Sequence, residues 1–459
     1  ITGEGVTTDP GRPTESDSPP GHRAWLAVII LMFVYIFSML DRNIITLFAE
    51  EIRAYLRISD VKLGMLFGPA FALSYAIGAL PFGWAIDRFD RRRVLWLGVT
   101  IWSLATAACG MSRSFMQMFA ARAFVGAGEA VLVPGNQSLL ADMFPPDRLA
   151  FPISVYSLGS RVGQGVSLII GGSLTTIIAP TAVFTLWPLG DLQGWQLIFV
   201  IVGFPGLLMA LLIFLIPEPQ RRHVTATPRA EVTFRAYLTH ARSHARFFAG
   251  LHAGAVIAIM VTTALAAWTP VFFQRAHGWP VEHVGLWLGL AIVVGPTIGM
   301  PVHGLISDFL FRKGTLDAPV RHLGRMVFLA TIPLVAGYLV ANPWLGLFLI
   351  CLGQGLVVAT TVLMPTSLQL MVPSAMRGKA ASFLLLATAL ASVSAGPAIV
   401  AGISDWLLGG PDRIGDAVAL VSAVGLPAAA LCFSIAAKPL RVAIAARHIE
   451  KPMRWSRAS

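Results

Sequence analysis

Four charged residues sit inside otherwise apolar sequence: Asp41 and Arg42 in "FSMLDRNIIT", and Arg122 and Glu129 in "RAFVGAGEAVLVPG". If these stretches cross a bilayer, each unpaired charge costs several kcal/mol, so such residues are kept for function or are paired. Asp41 can pair with either Arg122 or Arg42. Burial favours the neutral form of a carboxyl group, and a neighbouring guanidinium favours the charged form. A site whose wetting and charge contacts alternate between two conformations can therefore take up and release a proton. Asp41 and Glu129 are expected to exchange protons, while Arg42 and Arg122 tune them and bind an anionic group. The competing reading is a static salt-bridge network that holds two helices together. Arg161, at a depth similar to Glu129, is a possible further charge partner.

The composition supports the bilayer. The 459 residues are 56% hydrophobic and only 12% charged, with a mean hydropathy of +0.73. Soluble domains carry about 25% charged residues. Cys109, Cys351 and Cys432 all lie in apolar runs, an odd count that fits neither a disulfide framework nor a metal site. No Gly-rich phosphate loop is present, and an intramembrane Asp–Arg pair is not by itself hydrolytic chemistry. An enzyme is not expected, nor is a cofactor.

Twelve apolar segments are long enough to span about 30 Å of hydrocarbon as helices. They cover roughly 24–49, 62–86, 94–112, 115–140, 149–176, 195–216, 247–273, 282–306, 322–341, 344–370, 378–402 and 416–437. With both termini inside, the cytoplasmic segments hold 25 Lys and Arg and the external loops hold six: Arg53, Arg57, Lys62, Arg113, Arg275 and Arg413. That asymmetry sets the orientation. It also accounts for the net charge of +11 without nucleic acid, since the basic residues are spread over loops. Residues 1–23 read as a disordered cytoplasmic tail without a signal-peptide core, and 438–459 as a basic cytoplasmic tail.

The chain also repeats itself. "GWAIDRFDRR" after the second span and "GLISDFLFRK" after the eighth share Gly, Asp and two basic residues at a constant offset of 221. The matched positions are Gly83, Asp87, Arg91 and Arg92 with Gly304, Asp308, Arg312 and Lys313. A polar, Arg- and His-rich stretch at 217–246 separates a six-span half at 24–216 from another at 247–437. Parallel six-helix repeats joined by a cytoplasmic linker are the organisation of the major facilitator superfamily.

The resemblance is carried by motifs as well. "GWAIDRFDRRR" resembles the superfamily's signature between helices 2 and 3, with Asp90 where that signature has its second Gly. "RAFVGAGEAVLVPG" resembles its helix 4 motif. "LDRNI", followed by "LGMLFGPAFALSYAIGALPFGWAIDR", resembles two branches: the Spinster group of sphingolipid and lysolipid transporters, and the organic anion:cation symporters. The residue at Asp90 and the "GSRVGQGVSLIIGG" pattern favour Spinster. The resemblance implies an alternating-access transporter whose helices 1, 4, 7 and 10 line a central cavity. It also implies a cytoplasmic latch at Asp87, Arg88 and Arg91, matched by Asp308 and Arg312 in the second half.

Helices 7 and 10 carry no mid-span charge. They offer Met260, Thr263, Gln354 and Thr361 as substrate contacts. One charged wall and one apolar, Met-lined wall suit an amphipathic substrate with an anionic or zwitterionic head. His252 and His303 read as interfacial. Gly159, Gly163, Gly165, Gly171 and Gly172 on helix 5, with Gly396-Pro397 on helix 11, mark close contacts on which the halves can rock. The expected protein is thus a monomer in the bacterial inner membrane that couples a lipid-like substrate to protons. Its energy source is the proton gradient. Transport of small organic anions and uncoupled uniport are the alternatives.

Overall fold

A computed structural model describes residues 21–145, 149–187, 190–219, 234–373, 376–388 and 394–450. The first expected span is α1 (His22–Leu47), followed by the short α2 (Ala49–Leu56). The second is α3 (Asp60–Phe67) continued by α4 (Pro69–Arg88), and the third is α5 (Arg91–Gly110). The fourth is α6 (Phe115–Glu129) continued by α7 (Leu132–Met143). Then come α8 (Ala150–Thr175), an antiparallel hairpin of β1 (Val183–Leu186) and β2 (Gly190–Gln193), and α9 (Gly194–Leu212). The hairpin was not expected from the sequence. Helix α10 (Phe234–Ser243) falls in the expected linker, ahead of α11 (Ala245–His277). The second half continues with α12 (Val281–His283), a π turn, α13 (Gly289–Arg312), α14 (Ala318–Leu339), α15 (Pro343–Val357) and α16 (Ala359–Met371). It ends with α17 (Arg377–Thr388), α18 (Ser394–Gly402) and α19 (Ile414–Glu450).

Among the described residues, ten helical stretches are long and apolar enough to cross a membrane. The two other expected spans fall on α8 and on α17 with α18. Residues 1–20, 220–233 and 451–459, where most of the N-terminal tail, the middle of the linker and the chain's end were expected, lie outside the described residues. Helix α19 runs on through Glu450, so Lys438 and Arg441 belong to it rather than to a tail.

Local sequence explains where helices start and break. Ser59, Ser114 and Asn342 accept backbone N–H bonds at the starts of α3, α6 and α15. Asp90 does the same for α5, accepting from the N–H of Arg92 and Arg93 at 3.0 and 3.2 Å. Its φ is −57°, so the position does not need the Gly of the family signature. Two spans break because proline has no N–H for the carbonyl four residues back. Pro69 does this for Met65 at the α3–α4 joint, and Pro134 does it for Ala130 between α6 and α7. The second break falls directly after Glu129.

The first-half helices pack together through α1 with α8, α5 with α9 and α4 with α6; the second half does so through α11 and α14 with α19. Contacts between halves run through α8 with α13 and α3 with α18. The glycines of α8 divide between two jobs. Gly159, Gly163 and Gly171 face α1, whereas Gly165 and Gly172 face Gly289 and Gly285 of the other half. A Cβ on Gly165 would lie 2.5 Å from the Gly289 carbonyl oxygen, and one on Gly83 would meet nothing within 4 Å. Gly165→Ala is therefore expected to cost about 1–3 kcal/mol through overpacking, read as a lower melting temperature of the solubilised protein. Gly83→Ala should not lower it.

Candidate functional site

The central charges do not pair as the sequence suggested. Arg42 forms an ion pair with Glu129, whose side chain is fully buried while that of Arg42 is 34% exposed. The pairing follows from helix geometry. Side chains lean toward the N-terminus of their own helix. Helices α1 and α6 are expected to cross the membrane in opposite directions. Arg42 then leans inward and Glu129 outward, and two long side chains close an offset of roughly 10 Å. The shorter Asp41 cannot. The Arg42 guanidinium lies over the Phe71 ring at 4.2 Å from its centre, with Tyr75 at 5.9 Å.

Arg122 is also buried, but it holds main chain rather than a carboxylate. Its Nη1 donates to the Asp41 carbonyl at 3.2 Å, and its Nε and Nη2 approach the carbonyls of Leu66 and Arg42 at 3.5 Å. Leu66 lies in the last turn of α3, where a helix leaves acceptors free. Arg122 thus pins α1 to the α3–α4 joint, at the depth expected for it beside Asp41. The Asp41 carboxylate is 2% exposed and takes no hydrogen bond in standard geometry. Its neighbours are Thr106 and Trp102 of α5. Asp41 therefore pairs with neither Arg122 nor Arg42. The Arg161 side chain lies outside what is described, and Glu129 has its partner in Arg42.

In the second half, Met260 and Gln354 are half-buried and Thr361 is exposed. The Thr263 hydroxyl donates to the Met260 carbonyl at 3.0 Å. Gly396 of α18 sits against both of these residues, which places Thr263 at the α11–α18 seam. Helix α15 gives way to α16 at Val358, between Gln354 and Thr361. Both the fourth and the tenth span are therefore interrupted beside the residues singled out on them. His303 is buried rather than interfacial: its ring nitrogen is 3.2 Å from that of His322, and its other nitrogen is 2.9 Å from the Gly355 carbonyl.

The expected latch is not engaged across the halves. Asp87 is exposed and makes no ion pair among the described residues. Arg88 is exposed and stacks over its own helix's Trp84 at 4.6 Å. Asp308 and Arg312 are exposed, and Arg312 reaches only the Asp308 carbonyl at 3.4 Å. Arg91 is buried within its own half, where it joins Asp142 of α7 and Glu218 beyond α9, the latter at 2.8 Å.

The opposite side is tied shut, by residues that sequence reasoning had read only as loop charges. Arg275, at the end of α11, donates from Nη2 to Asp60 at 2.9 Å and from Nε to Glu50 at 2.7 Å. It also donates to the Pro411 carbonyl at 2.8 Å. Arg53 adds a 3.2 Å contact to Asp60, and Asp405 accepts from the Val61 N–H at 3.3 Å. The available signal was charge placement: Arg275 and Arg413 in the second half's external loops, against Glu50, Glu51 and Asp60 in the first half's.

Glu51 lies beside this network on α2. Burial, together with the neighbouring Glu50, pushes its carboxyl up to about 7. It holds its proton in the folded protein over a range where the unfolded chain has lost it. Stability from this group is therefore present at low pH and lost as pH rises toward 7. Melting temperature measured from pH 5 to 8 should fall less steeply for Glu51→Gln than for wild type.

Among the described residues, no group of three His, Cys, Asp or Glu is placed to hold a metal ion. The cysteines are unpaired. Helix α10 does carry a His-x-x-x-His pair that the sequence reading overlooked, His240 and His244, with ring centres 4.6 Å apart.

The family model of the Major Facilitator Superfamily matches residues 31–397. The probable L-galactonate transporter of Escherichia coli (strain K12) is 26% identical over 307 residues, covering 64% of this chain and 63% of its own length. Protein spinster homolog 3 of Danio rerio is 30% identical over 278 residues, 59% of this chain and 52% of its own. The chain thus spans less than two thirds of each of these two relatives. A bacterial homolog to the human lysosomal transporter Spinster, solved in an inward-facing and unoccupied conformation, superposes with a TM-score of 0.77. It is 26% identical and covers 96% of this chain and 100% of its own. The resemblance to the Spinster branch read from the sequence is matched by these proteins. The chain belongs to the Major Facilitator Superfamily and is a multi-pass membrane transporter rather than an enzyme.

Proposed function

We propose that this chain is a proton-coupled secondary transporter of the bacterial inner membrane. In this reading it works as a monomer by rocking the halves 24–216 and 247–437 about the linker 217–246, with no cofactor beyond the proton gradient. Its substrate is amphipathic and lipid-like, with an anionic or zwitterionic head. The observation that carries the reading is the Arg42–Glu129 pair beside an unpaired, buried Asp41.

Arg42 is the one member of the central group that is partly exposed, so it is where a head group can bind. A head group that takes Arg42 displaces Glu129. A buried carboxylate stripped of its partner is costly unless it takes a proton. Substrate binding and proton uptake are thereby linked through one guanidinium. Asp41, with no guanidinium of its own, carries the proton while Glu129 is paired. Arg122 keeps α1 in register for the exchange. Met260, Thr263, Gln354 and Thr361 provide the facing wall for the tail. The cross-half ties at Arg275, set against the disengaged Asp87, Arg88, Arg91, Asp308 and Arg312, fit an inward-open step of the cycle. The rocking contacts are the α8–α13 glycines.

A second reading rests on the relatives. The names of the L-galactonate transporter and of the probable galactarate/D-glucarate transporters point to sugar acids, whose carboxylate also suits Arg42. Uncoupled uniport is the third. In proteoliposomes under a pH gradient, a lysolipid or sphingoid compound is expected to move protons with wild type. Asp41→Asn and Glu129→Gln should each lower that coupled flux at least tenfold. Proton movement with small sugar acids alone would favour the second reading. Uphill transport that survives both substitutions would contradict proton coupling.

A further inference from the structure

A groove of about 590 Å³ lies between α14 and α19, far in sequence from the central charges. The two helices run antiparallel, and the small residues Gly324, Ala430 and Ala437 line the groove between them. At the end of the groove nearest the start of α14, Arg321 and Arg325 meet Lys438 and Arg441. Among the described residues, Arg321 alone of the four has a carboxylate partner, Asp317, at 2.8 Å. Arg325, Lys438 and Arg441 are exposed and make no ion pair among the described residues. Phe328, three residues beyond Arg325, and Leu431, seven before Lys438, lie roughly 5 and 10 Å deeper along their helices and stand 55% and 64% exposed. The groove is therefore basic at its mouth and apolar below, with an open floor.

We propose that this groove is a binding site for an anionic phospholipid of the cytoplasmic leaflet. Its phosphate sits among Arg325, Lys438 and Arg441, and an acyl chain lies along Phe328 and Leu431. Charge complementarity selects the head: three uncompensated cations at the membrane face attract a phosphate, and basic pockets between helices on this side suit such lipids. The apolar depth selects a lipid over free phosphate. The site lies outside the transport machinery and asks nothing of Asp41 or Arg42.

Native mass spectrometry of the full-length protein, with added phosphatidylglycerol or phosphatidylcholine, tests the proposal. Wild type should retain phosphatidylglycerol in preference. Lys438→Gln and Arg441→Gln should each weaken retention roughly fivefold, since each basic residue near the surface is worth about that factor. Gly324→Leu keeps every charge and fills the floor, where an added Cβ meets only ordinary contacts at 3.5 Å, so it should also weaken retention. Lys313→Gln, a basic residue on the same side outside the groove, should not. Equal retention of the two lipids by wild type would overturn the proposal. So would unchanged retention in both the charge and the floor variants, or an equal loss in Lys313→Gln. Displacement of the lipid by excess inorganic phosphate would reassign the site to free phosphate.

Discussion

The ion pair between Arg42 and Glu129 is the constraint from which the rest of the site follows. It joins the first and fourth spans at a depth where charge is expensive, and it exists because two antiparallel helices aim long side chains at each other. It engages one oxygen of Glu129 and leaves Asp41 without an ion pair. By occupying Arg42 it leaves Arg122 free to hold backbone carbonyls at the α3–α4 joint. In the proposed cycle this pairing makes Arg42 the binding group, Glu129 the displaceable carboxylate and Asp41 the second proton carrier, with Arg122 as a strut on backbone carbonyls.

The same economy shapes the two sides of the membrane. On one side Arg275 collects Glu50, Asp60 and the Pro411 carbonyl, drawing both halves together. On the other, Arg91 is spent within its own half on Asp142 and Glu218, and Asp87 stands exposed. Reversal of the transporter has to break the first set of contacts and make new ones at the second. Arg275 and Asp60 are buried in this arrangement, so parting them has to rehydrate both charges as the contact breaks. The close approaches of Gly165 to Gly289 and of Gly172 to Gly285 bring the two halves into contact through backbone.

Much of this was legible in the sequence. Apolar runs placed the helices, and charge within them singled out Asp41, Arg42, Arg122 and Glu129, which the structure brings together. Depth along a helix could be counted, which correctly put Arg122 beside Asp41. Partner choice could not be counted, because it depends on which way a side chain leans and how far it reaches. That is why Asp41 was expected to be paired and was not. Asp90 looked like a departure from a turn-forming glycine until its capping bonds gave it a role. The Arg275 network escaped notice because its members lie more than two hundred residues apart, in loops that read only as topology. His303 was misplaced for a related reason: His322, which buries it, lies on the next span.

Infrared difference spectroscopy of the carboxyl C=O stretch, recorded across a pH jump on the purified protein, bears most directly on the central claim. The account predicts a protonated-carboxyl band in the substrate-free protein that disappears in Asp41→Asn and persists in Glu129→Gln, because Glu129 is ion-paired with Arg42 and Asp41 makes no ion pair. Added substrate should then produce a second protonated band that belongs to Glu129. A substrate-free band that disappears in Glu129→Gln instead, or no substrate-dependent band at all, would contradict it.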